Sequence, residues 1–89
     1  MILRIHQTSK FRKDIEKISR QNKNLTDLDN VIFTLASGKK LSQQYKDHKL
    51  GGNWTGYREC HIKPDWLLIY CIADNTLYLV RTGSHSDLF

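Results

Sequence analysis

The apolar positions along the chain change period twice. Met1–Gln7 is short, mostly apolar and compatible with a strand. Thr8 and Ser9 then offer an N-cap, and the apolar residues recur at helical spacing as Phe11, Ile15 and Ile18. Lys10, Arg12, Lys13, Lys17 and Arg20 take the other faces of this helix, which the polar run Gln21-Asn22-Lys23 ends. Asn24 is placed to cap a second helix, with Asp27 near its positive end. Leu25, Leu28, Ile32 and Leu35 form its apolar stripe, with Val31 beside them, and Gly38 suits the position just past its end. So short a link predicts an antiparallel helical hairpin.

From Gly38 to Asn53 no clean period survives. The stretch holds Lys39, Lys40, Lys46, His48 and Lys49, then Gly51-Gly52. A loop of about 15 residues in a small domain is more often functional than idle; the plain alternative is a solvated connector. The last third reads as strands. Trp54–Ile62 leads to a turn at Lys63-Pro64-Asp65. Trp66–Ile72 is apolar on both faces, which suits a central strand. After a turn at Ala73-Asp74-Asn75 comes Thr76–Gly83, with Leu77 and Leu79 on one face and Tyr78 and Val80 on the other. The order β-α-α-β-β-β predicts an α+β fold. The helical hairpin covers one face of a mostly antiparallel four-stranded sheet and leaves the other face free for function.

Length and composition narrow this picture. The 89 residues make one domain, residues 1–89. A chain this short hides only about 60–65% of its unfolded surface, so a single-layer core is expected. A hydrophobic share of 39% argues against disorder. The longest apolar run, Trp66–Ile72, falls well short of the roughly 20 residues of a membrane helix. The opening Met1-Ile2-Leu3-Arg4-Ile5-His6 is interrupted by charge, unlike a signal peptide. Cys60 and Cys71 are too few for a disulfide framework. The hairpin register puts Cys60 against Leu67–Ile69 rather than Cys71, which suits two packed thiols, reduced in a cytosolic protein. Fourteen Lys and Arg against nine Asp and Glu give a net charge of +5, a weak pointer to a polyanionic partner.

The chemistry-bearing residues cluster in the second half. C-x-x-C, H-E-x-x-H, a Gly-rich phosphate loop and G-x-S-x-G are all absent from the sequence. What remains is His48 in the basic loop, His61 and Asp65 flanking the first hairpin turn, Arg81 ending the last strand, and His85 just beyond it. A meander is not expected, by default, to bring these strand ends together. The residue types nevertheless suit attack of an RNA 2′-hydroxyl on its neighbouring phosphorus. That reaction needs a base, an acid and a cation for the charged phosphorane, roles that histidine and arginine can fill. The plainer readings are surface histidines, an Arg81–Asp65 ion pair, and Trp54, Tyr57 and Trp66 as packing residues. On these grounds alone the chain is a small basic α+β domain with RNA as a candidate partner.

Three motifs go further. Tyr45-Lys46-Asp47-His48-Lys49-Leu50, His61-Ile62-Lys63-Pro64-Asp65-Trp66 and Arg81-Thr82-Gly83-Ser84-His85 together resemble the YafQ branch of the RelE/ParE toxin superfamily. The resemblance extends over essentially the whole chain, though Met1 to Leu41 matches mainly in pattern. It implies a RelE-like fold and a metal-independent, cofactor-free mRNA endoribonuclease that works at the ribosome and arrests translation in the bacterial cytoplasm. By position it implies His48, His61, Asp65, Arg81 and His85 as catalytic, with His85 as general acid and Arg81 on the scissile phosphate. It implies RNA contacts at Trp66 and Phe89, while the loop lysines Lys39, Lys40, Lys46 and Lys49 and the basic face of the first helix are expected from their charge to hold RNA phosphates. Its implied partners are mRNA, the ribosome and a cognate antitoxin, two toxins to two antitoxins, with DNA reached only through the antitoxin and no membrane. ParE-type members share the fold but poison DNA gyrase without nuclease activity, and they define the alternative.

Overall fold

A computed structural model, which describes residues 2–89, contains the expected elements in the expected order. Strand β1 (Arg4–Gln7) leads into helices α1 (Ser9–Arg20) and α2 (Thr26–Ala36); strands β2 (His48–Lys49), β3 (Arg58–Lys63), β4 (Trp66–Ala73) and β5 (Thr76–Gly83) follow, then a short helix α3 (His85–Leu88). Met1, included in the expected first strand, lies outside the described residues.

Local chemistry explains most boundaries. The Thr8 hydroxyl accepts from the Phe11 N–H and starts α1. Asn24 Oδ1 accepts from the Thr26 N–H at 2.8 Å, so Asn24 does organise the entry to α2, but the cap position itself is Leu25. At the other end Gly38 takes φ 75°, and the N–H groups of Gly38 and Lys39 return to the carbonyls of Leu35 and Thr34. These two bonds satisfy the last turn as a Schellman motif. Asp74 and Asn75 have φ 51° and 59°, the pair of left-handed residues that a tight β4–β5 hairpin requires.

The sheet runs β1-β5-β4-β3-β2, with β1 parallel to β5 and every other pair antiparallel. β4 is central, as its two apolar faces predicted. The sheet has five strands instead of the expected four, because His48–Lys49 pairs with Glu59 and Arg58 inside the segment without a period. Trp54 does not begin a strand. Gly52–Trp54 closes a 3₁₀ turn, and β3 starts at Arg58.

The core departs from the single layer expected. On one face Phe11, Ile18, Leu28, Val31 and Leu35 pack on Cys60, Leu68, Leu77 and Leu79. On the opposite face Leu67 and Ile69 are fully buried beneath Leu88, Leu50, Trp54, Tyr57 and Val80. The second face is therefore not free. The 50–57 segment and α3 cover part of it, since two alternating sets of large apolar residues on β4 cannot both face one hairpin.

Candidate active site

The strand register assembles the site. Glu59 stands opposite His48 on one side and Ile69 on the other, and His61 stands opposite Leu67, which stands opposite Gly83. All of these side chains leave the sheet on the face away from the helical hairpin. The end of β3, the start of β4 and the end of β5 lie at the same end of the sheet, because adjacent strands are antiparallel. The sequence reading, which did not expect a meander to bring them together, is corrected on this point.

Three imidazoles form a row across this end. The ring centroids of His48 and His61 are 6.4 Å apart, and those of His61 and His85 are 5.9 Å apart. Asp65, in the β3–β4 turn, accepts from the His85 backbone N–H at 3.1 Å and lies 2.8 Å from His85 Nδ1. These bonds, the backbone one foremost, hold the Asp65 carboxyl below its ordinary range. An ionised carboxylate only accepts, so Nδ1 carries the proton and Nε2 is left for a substrate. His48 is oriented similarly: its Nδ1 lies 2.6 Å from the Lys46 carbonyl, which can only accept.

Glu59 was not singled out in the sequence. It is 5% exposed, and its Oε1 lies 3.5 Å from His48 Nε2 and 3.7 Å from His61 Nε2. Those distances are too long for good hydrogen bonds but short for electrostatic contact between a carboxylate and either imidazolium. The usable sign in the sequence was its i, i−2 spacing from His61 on a strand, which places both on one face.

Arg81 reaches the site face through a bulge. β4 and β5 pair as Tyr70 with Leu79 and Ile69 with Arg81, leaving Val80 as an extra residue. Simple alternation would have sent Arg81 to the hairpin side with Leu77 and Leu79. The bulge instead sets it in line with Ile69 and Glu59, about 10 Å from the latter at the usual strand spacing. Its guanidinium turns around the sheet edge to α1, where Nε and Nη2 donate to Asp14 at 2.7 and 3.1 Å. Asp14 also accepts from the Thr82 N–H. The Arg81–Asp65 pairing considered from sequence does not occur: Asp65 belongs to His85 and Arg81 to Asp14.

The RNA-contact residues divide. Lys46 and Lys49 are exposed beside the row. Phe89 is 59% exposed, with its ring 6.1 Å from that of Trp54. Trp66 is a correction. It is 5% exposed, sits in the hairpin-side core and donates its indole N–H to Thr82 Oγ1 at 3.0 Å, so it offers no open face for base stacking. Both thiols are free, and burial pushes that of Cys60 up to about 12, which makes it inert packing.

The sequence matches the family described as bacterial toxin of type II toxin–antitoxin system, YafQ, over residues 3–89. The chain belongs to the YafQ toxin family. It is 37% identical over 86 residues to the mRNA interferase toxin YafQ of Escherichia coli K12, covering 96% of this chain and 94% of that protein. Its fold superposes on a metal-bound toxin from Helicobacter pylori with a TM-score of 0.93 and 46% identity, over 99% of this chain and 100% of the other. It superposes on the toxin in the E. coli DinJ–YafQ toxin–antitoxin complex with a TM-score of 0.91 and 36% identity, over 100% and 99% of the two chains. Among the described residues no three His, Cys, Asp or Glu side chains are placed to hold a metal ion. No described helix is long and apolar enough to cross a membrane.

Proposed function

We propose that this YafQ-family toxin is an mRNA endoribonuclease whose acid–base groups are the three histidines in a row. The observation that carries the reading is His85 with its Nδ1 fixed by Asp65 and its Nε2 directed away, one ring from His61 and two from His48. The names of its relatives support this reading over a ParE-like inhibitor of gyrase.

In this reading the RNA 2′-hydroxyl loses its proton to His48 or His61 and its oxygen attacks the adjacent phosphorus. The P–O5′ bond breaks, and the departing oxygen takes a proton from Nε2 of His85 in its doubly protonated, imidazolium form, leaving the ring neutral with its proton on Nδ1 toward Asp65. The products are a 2′,3′-cyclic phosphate and a 5′-hydroxyl, so protons and electrons balance without a redox step. Asp65 orients the acid and Glu59 faces the two histidines that share the base role. Arg81 serves the phosphorane when its fork turns from Asp14 toward the phosphate; the pair is 22% and 13% exposed, so exchange of one anion for another needs no unfolding. The substrate is mRNA on the ribosome, which places the toxin in the bacterial cytoplasm. Its restraining partner is a small antitoxin, as in the DinJ–YafQ complex.

His85→Ala is expected to lose about 10²–10⁴ in cleavage rate, the usual contribution of a proton-transfer group. Primer extension on mRNA, with and without ribosomes, reads cleavage, and circular dichroism on the same sample reads folding. Undiminished cleavage by the folded variant overturns the assignment.

A further inference from the structure

A second concave surface lies on the hairpin side of the sheet, across the β2 edge from the histidine row. It is an open groove of about 760 Å³ between the end of α2, the 39–47 segment and the β3–β4 strands. Lys39, Lys40 and Lys46 line it, and none of their ammonium groups has a carboxylate within ion-pair distance among the described residues. Elsewhere, in contrast, Lys17 is bound to Asp87 and Lys63 to Asp27. The remaining charges in the groove, Arg58 and Asp47, neutralise each other at 3.2 Å. The groove therefore keeps three uncompensated positive charges. Lys46 also lines the smaller cavity beside His61, and its carbonyl holds His48. The groove, on the hairpin side of the sheet, and the histidines, on the other face, thus meet at Lys46 beside the β2 edge.

We propose that this groove holds the backbone phosphates of the single-stranded RNA that extends beyond the bond being cut. The inference rests on the nuclease reading for the identity of the strand. Lysine suits the task, being a mobile point charge that follows a flexible backbone without reading its sequence. The open shape admits a chain passing through, and Lys46 marks where that chain rounds the β2 edge toward the cavity beside His61. An acidic peptide is the competing occupant, and the experiment separates the two.

The variant Lys39→Gln/Lys40→Gln leaves every residue of the histidine row intact. Binding of a 12-nucleotide RNA, blocked from reaction by 2′-O-methyl groups, is measured by fluorescence anisotropy across a salt series, beside a trinucleotide too short to leave the row. Each phosphate contact on a single strand contributes about 0.7 to the salt slope, so the variant is expected to flatten the 12-mer slope by about 1.4 and leave the trinucleotide unchanged. An unchanged 12-mer slope overturns the proposal. So does a variant that keeps its RNA slope but loses affinity for an acidic glutamate-rich peptide, which assigns the groove to a protein. Primer extension with the wild type keeps the two readings apart: flattening of the slope together with failure of the wild type to cut mRNA defeats the nuclease assignment and leaves the RNA groove standing.

Discussion

Asp47 decides where His48 sits. Its Oδ1 accepts from the Tyr70 hydroxyl at 2.6 Å and from Arg58 Nε at 3.2 Å, so the residue before His48 is fastened to both β3 and β4. Burial, and then the Asp47 carboxylate, push the Tyr70 hydroxyl above its ordinary value, and it remains a donor throughout the working pH range. Tyr70→Phe removes one donor from a half-buried carboxylate. A bond to a charged group contributes about 1.5–3 kcal/mol, and a loss of that order is expected in urea unfolding, with movement of the His48 ring resonances in NMR spectra. Wild-type stability together with unmoved resonances would show that the clamp has no part in placing His48. At this scale His48, His61, Asp65 and His85 were legible because their side chains suit one reaction. Asp14, Asp47 and Glu59 were not, because a carboxylate's role depends on the cation or imidazole across from it. Trp66 was misread because indole serves core packing and base stacking equally well, and burial alone separates the two.

α3 is too short to be stable alone, and three polar ties hold it. The Ser84 hydroxyl and the Asp87 carboxylate form a reciprocal capping box. Asp87 also pairs with Lys17 of α1 at 2.8 Å, and Asp65 holds His85. Gly83 permits the close approach, since a Cβ there would lie 3.2 Å from the Asp87 side chain. Lys17, and then the Ser84 backbone N–H, pull the Asp87 carboxyl from 3.8 to about 2, and the Asp65 carboxyl shifts in the same direction. A carboxyl whose folded value lies below its unfolded value stabilises the fold above the unfolded value and loses that contribution as pH falls through the folded one. The docking of α3 is therefore expected at full strength above about pH 4 and to fade toward pH 2. Backbone amide resonances of 85–89, followed against those of β4 in an acid titration, read this directly. Asp87→Asn is expected to remove most of the dependence. Amides of 85–89 that hold their positions to pH 2 in the wild type count against it. The two main helices and three long strands were readable from period and caps. β2 and α3 were not, because elements of two and four residues have no period and exist only through what they pair with.

At the scale of the whole molecule the net charge is +5, and Lys39, Lys40 and Lys46 of the groove carry part of it without an acidic partner among the described residues. That field favours an acidic partner segment by steering and charge pairing. Co-expression with the adjacent gene is expected to give a complex with the mass of two toxins and two antitoxins by light scattering, and to relieve growth arrest. A neighbour that neither binds nor restores growth counts against restraint by a type II antitoxin. The basic face of α1 is a weaker candidate for RNA contact than the groove, because Lys17 on that face is already bound to Asp87.

The sequence by itself determined the order of the main elements, the central place of β4, the Thr8 cap of α1 and the Gly38 end of α2, and the histidines and Asp65 as candidates for moving protons. Each of these depends on side-chain type and spacing within a few neighbours, which a linear chain displays. The tertiary structure alone decided which strand ends coincide, that Val80 is an extra residue placing Arg81 on the site face, that Asp14 occupies its guanidinium, and that Glu59 stands between two histidines. Those depend on register between strands and on contacts between residues far apart in sequence. A bulge of one residue reverses every face assignment beyond it, and it arises from packing across the sheet rather than from a local preference.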